Sequence, residues 1–151
     1  MTTMGTLVAL HALAAAIWVG GMAFAHFCLR PAARSFDPPV RLRLMTSVLD
    51  RFFRFVWGAI ALLLLTGYGI LVMRGFDTFG LYVHLMQAAG IVMMLLFAHL
   101  WFAPWRRLQR AVGDADWPAA ARQLDQIRQI VAINLMLGTA TVLLGAGGRW
   151  L

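Results

Sequence analysis

The chain has 151 residues, of which 62% are hydrophobic and only 13% charged, a balance that excludes an ordinary soluble domain. The formal charge is +7, and its thirteen basic residues, all arginine, gather between apolar runs. That placement points to membrane orientation and anionic headgroups and excludes a nucleic-acid partner.

Four spans are predicted in chain order. The first covers about 4–29 and is ended by Arg30-Pro31. "AFA" at Ala23–Ala25 resembles a signal cleavage site, but no basic region precedes it, so the span is expected to be retained. "PPVRLRLMTSVLDRFFRF" follows, mixing arginine with apolar residues at helical spacing, and reads as an interfacial helix leading into span two. Span two covers about 53–73 and is stopped by "RGFDTFG", with two glycines and Asp77; span three covers about 81–102 and ends near Pro104. In "DADWPAAARQLDQIRQIV", Asp116 is a candidate N-cap and Pro118 a first-turn proline, for a helix continuing into span four at about 130–150.

Twenty residues of helix cross roughly 30 Å of hydrocarbon, where a backbone must satisfy its own hydrogen bonds. The expectation is an all-α integral membrane protein: one four-helix transmembrane bundle over residues 1–151, running up-down-up-down. Arg30, Arg34, Arg41, Arg43, Arg51 and Arg54 share a side with Arg106, Arg107, Arg110, Arg122 and Arg128, against Arg74 and Arg149 opposite. The positive-inside rule puts that side in the cytoplasm and both termini on the outer face of a bacterial inner membrane.

The four histidines form two pairs with the same spacing. His11 and His26 lie fifteen positions apart on span one, as do His84 and His99 on span three. Spans one and three run parallel, so His11 matches His84 in depth near the outer face, and His26 matches His99 near the inner face. Fifteen residues return to within roughly 60° of the starting direction, so both histidines of a span can face inward. Imidazoles from two facing helices are suited to clamp a b-type haem. His11 and His84 are therefore candidate ligands of an outer haem, and His26 and His99 of an inner one, with Arg51, Arg54 and Arg106 placed for propionates. The single cysteine, Cys28, excludes an intrachain disulfide and a CxxCH attachment, so such a haem would be non-covalent. The spacing is similar to that of the paired histidines in diheme cytochromes b. Each histidine could equally be a buried hydrogen-bonding residue, and the glycines of the spans ordinary close-packing positions.

"LHALAAAIWVGGMAF", "RFFRFVWGAIALLLLTGYGIL" and "LYVHLMQAAGIVMMLLFAHLWFAPWRRL" together resemble the copper-resistance protein D (CopD) family, especially its short four-span members. His11, Trp18, Gly20 and Gly21 carry the most specific part of the likeness, which implies copper handling across the inner membrane. A more distant resemblance is to the HemJ-type protoporphyrinogen oxidases, through His11 and the His84 of "LYVHLM", and it implies haem b and porphyrinogen oxidation. Met86 departs from that pattern, standing where those enzymes have a lysine.

Copper is the rival to haem. Met86, Met93 and Met94 lie on span three, and thioethers select Cu(I), although methionine in an apolar chain is commonly core filler. No HExxH, P-loop or serine nucleophile with a base is present, and no carboxylate lies inside a span. Gln87, Asn134 and Tyr68 are the notable polar groups within the spans, and Trp57, Trp101, Trp105, Trp117 and Trp150 fit interfacial belts. The leading expectation is a small b-type cytochrome with one or two haems. It would move electrons within or across the membrane to a quinone or a redox partner protein, alone or as a homo-oligomer. The alternatives are a CopD-like copper transport or copper-binding protein and a HemJ-like enzyme.

Overall fold

The computed structural model describes residues 2–75 and 80–147. Four long helices fill them: α1 (Thr3–Ala33), α2 (Pro38–Arg74), α3 (Leu81–Gly113) and α4 (Trp117–Gly147), each long and apolar enough to cross a membrane. No strand occurs among the described residues. The loop with Asp77, and Arg149 and Trp150 at the end of the fourth predicted span, lie outside them.

The helix ends follow local chemistry. Asp116 caps α4 by accepting from the Ala119 N–H at 3.0 Å, as its position before Pro118 predicts. Thr2 accepts from the Gly5 N–H at 3.3 Å to open α1. Gly75 stops α2 at φ 83°, a left-handed conformation that glycine adopts without strain.

Two prolines expected to end helices do not. Pro31 and Pro104 lack an N–H and crowd the carbonyl four residues back. The chain absorbs both in single π-turns, Ala25–Leu29 and Trp101–Trp105, and α1 and α3 run on to Ala33 and Gly113. The arginine-rich stretch before span two is helical and runs into the span without a break. It forms the first half of α2, whose 37 residues reach about 55 Å. The extra length carries α2 well past a hydrocarbon core of about 30 Å on the arginine-rich side.

Helices α1 and α2 pack along each other, as do α3 and α4, and α1 meets α4 to join the two hairpins. The half toward the arginine-rich ends, inner in the orientation that the arginines predict, is closely filled around Phe53, which is 1% exposed. Its ring meets Trp105 edge-on at 5.1 Å and Phe97 at 5.5 Å. Trp105, read from sequence as an interfacial belt residue, is instead buried. The π-turn around Pro104 inserts an extra residue and re-phases α3, turning that indole toward α2.

Across the α3–α4 seam, the Asn134 Nδ2 donates to the Met93 carbonyl at 3.1 Å. Asn134→Ala is expected to lower stability by about 1 kcal/mol, in the range measured for hydrogen bonds between membrane helices. Unfolding in mixed micelles of increasing denaturing-detergent fraction measures that loss.

Candidate functional site

In the outer half the four helices part around a cavity of about 530 Å3. Small residues open it: Ala12 and Ala15 on α1, Gly67 on α2, Gly90 on α3 and Gly145 on α4 are all on its wall. The outer part of α3 is tied to α2 by the Gln87 Nε2, which donates to the Tyr68 hydroxyl at 3.2 Å. No charged side chain lines the cavity among the described residues.

His11 is half-buried on the wall of this cavity. Its Nδ1 lies 2.9 Å from the Thr66 Oγ1, and that hydroxyl stands 2.6 Å from the Leu62 carbonyl one helical turn back. A carbonyl can only accept, so the Thr66 proton goes to Leu62 and the Thr66 oxygen accepts from the His11 Nδ1–H. The imidazole is thereby held in the tautomer whose Nε2 carries a free lone pair. A partner on one ring nitrogen that leaves the other free is the arrangement seen in metal-ligating histidines. A Cβ at Gly67 would come within 3.2 Å of the His11 Cε1, so that glycine gives the ring its room.

Three methionines share the cavity with His11: Met86, Met93 and Met94. Met86 and Met93 are seven residues apart, two helical turns, and so project from one face of α3. They pack on Gly145 and Gly138, also seven apart on antiparallel α4. A Cβ at either glycine would lie 3.0 Å from the facing methionine Cε. The glycines thus leave room for both methionine methyl groups, at Gly138 shared with Val19, and Met93 is buried there as part of the core.

The histidine pairs expected from spacing are not assembled within the chain. His11 lines the cavity, whereas His84 is exposed and does not, because its position on α3 turns away from the face that carries Met86. His99 is also exposed, while His26 lies in a separate inner pocket. Arg51, Arg54 and Arg106 are exposed and line neither cavity; Arg54 pairs with Asp50, and the Arg106 guanidinium sits 5.7 Å over the Phe102 ring. Among the described residues no three His, Cys, Asp or Glu side chains gather as a metal-binding group. A metal in the outer cavity would therefore need thioether donors. Sequence reasoning missed Thr66 and the glycines that face the methionines. The seven-residue spacing shared by Met86/Met93 and Gly138/Gly145 was the available signal.

Four apolar membrane-crossing helices around a largely apolar cavity define a multi-pass membrane protein. The family model described as copper resistance protein D matches residues 46–147, and the chain belongs to that family. The match spans most of α2 and all of α3 and α4, and leaves α1 with His11 outside it. No curated protein and no solved structure matches the chain.

Proposed function

We propose that this copper-resistance family protein takes Cu(I) as its cargo in the outer-half cavity, as a step in moving copper across the inner membrane. The observation that carries the reading is that His11, its Nδ1 occupied by Thr66, lines the same cavity as Met86, Met93 and Met94. Thioethers and a neutral imidazole suit the soft monovalent ion. Hard divalent ions prefer carboxylates, and the cavity wall has none among the described residues. Neutral donors also release a monovalent ion more easily than thiolates would, which suits a cargo that must leave.

Anaerobic competition between the detergent-purified protein and a coloured Cu(I) chelator tests this. Met86→Leu combined with Met93→Leu keeps side-chain volume and removes both sulfurs. It is expected to weaken Cu(I) binding at least about tenfold while leaving the helical circular dichroism unchanged. Equal affinity in the double variant would contradict the reading. Thr66→Val, nearly isosteric, should loosen binding by about tenfold to a hundredfold by freeing the imidazole to change tautomer.

One observation favours a second reading, a single b-type haem. The cavity is largely apolar, and its volume of about 530 Å3 falls among those of organic-cofactor pockets. Within one chain His11 and a methionine of the cavity would be the residues to hold it, since His84 lies outside the cavity. A Soret band in protein made with ample haem separates this reading from the first. Porphyrinogen oxidation draws less support, because Met86 stands where those enzymes have a lysine and no charged side chain among the described residues lines the cavity.

A further inference from the structure

A second pocket, of about 300 Å3, lies between the inner parts of α1, α2 and α4, away from the cavity of His11. Arg30 and Arg34 reach it from the end of α1, Arg41 from α2 and Arg128 from α4, with His26 beside them. These arginines come from three separate segments, so their presence around one pocket is a product of the fold and not the periodic face of one helix. One acid lines the same space: Asp125, whose carboxylate lies 2.6 Å from Arg128. Among the described residues the pocket wall carries four arginines and one aspartate, an excess of three positive charges. Arg30 lies within electrostatic reach of Arg34, Arg128 and Asp125, so a single carboxylate is set against three guanidinium groups, a balance that favours a further anion.

The remaining wall is apolar, with Leu42, Met45 and Leu49 of α2 facing Leu124 and Ile127 of α4. A π-turn, Ala25–Leu29, carries His26 to the edge of the pocket, and such turns recur at functional sites. The geometry points to a site for the phosphate headgroup of an anionic phospholipid. Guanidinium forks would hold the phosphate oxygens, and an acyl chain would lie along the apolar wall. The apolar wall favours a lipid over free phosphate. So does the pocket's place on the arginine-rich side, where basic pockets between membrane helices take anionic headgroups.

The test is native mass spectrometry of the delipidated full chain in detergent. It is titrated with dioleoyl phosphatidate, with dioleoyl phosphatidylcholine, and with inorganic phosphate. Phosphatidate is expected to give a one-to-one adduct that phosphatidylcholine does not. Combining Arg30→Gln with Arg128→Gln should weaken it about thirtyfold. Asp125→Asn, which removes the competing acid and no arginine, should tighten it. It also keeps the test valid if the double variant fails to fold. Arg122→Gln, exposed on the same helix outside the pocket, should leave binding unchanged. Equal binding of the two lipids, or an undiminished adduct in the arginine double variant, would reduce these arginines to topology signals and overturn the site. Unchanged or weaker binding in Asp125→Asn would also overturn it. Inorganic phosphate displacing the lipid at equal concentration would overturn the lipid assignment in favour of a free-phosphate site.

Discussion

Replacing His11 with alanine is expected to abolish stoichiometric Cu(I) retention, weakening binding by more than about a hundredfold. Removing an outer partner of a ligand typically costs tenfold to a hundredfold, and removing the ligand itself costs more. The expectation is sharp because the surroundings of His11 are built for one orientation. Thr66 fixes the tautomer through a 2.9 Å hydrogen bond, and Gly67 leaves the ring its space. His84→Ala is the matched control. It removes an exposed imidazole from the same half of the bundle and should leave copper affinity within about twofold of wild type, as an uninvolved surface substitution would. Chelator competition on both variants measures the contrast. A purely structural histidine would instead lower thermal stability in His11→Ala without a selective loss of copper.

The second large effect falls on stability. Phe53→Ala should cost about 3 kcal/mol or more, the usual range for emptying a buried phenylalanine site. Phe53 is 1% exposed and lies against Phe97 and Trp105 in edge-to-face contact, so its removal opens a void lined by rigid rings. Lipid tails are as apolar as the protein interior, so the loss is one of packing and ring geometry more than of transfer from water. Steric trapping or mixed-micelle unfolding reads the change. Copper affinity in the surviving folded fraction should be retained, since the cluster lies in the inner half and the cavity in the outer. Loss of copper binding in a fully folded Phe53→Ala protein would show that the two halves are coupled.

Much of the fold was legible because the membrane removes choices. Apolar runs of about twenty residues can only be helices in hydrocarbon, and the arginine distribution orients them. The cap at Asp116 and the stop at Gly75 rest on local chemistry that needs no tertiary context. The prolines misled, because a proline cannot donate but a widened turn can absorb it. Whether a chain bends, stops or widens at Pro31 or Pro104 is decided by what packs around it.

The site was less legible for a related reason. Fifteen-residue spacing allows His11 and His26 a common face only to within roughly 60°, and that tolerance covers both facing a cavity and facing lipid. The same tolerance applied to His84, which lies outside the cavity wall. The methionines could not be separated from core filler by composition, since only the folded chain shows that Met86, Met93 and Met94 line the cavity that His11 also lines. Thr66 gave no signal at all. A threonine within a membrane helix commonly bonds its own backbone, and its service to His11 emerges only when α1 lies against α2.

Copper coordination by His11 and the methionines is tested by X-ray absorption at the copper edge of protein loaded with one equivalent of Cu(I) in lipid nanodiscs. A mixed first shell of sulfur and nitrogen scatterers is expected, with the sulfur contribution reduced in Met86→Leu with Met93→Leu, where Met94 remains, and no stoichiometric copper retained by His11→Ala. Copper that fails to load, or a shell of nitrogen and oxygen scatterers alone, would contradict it.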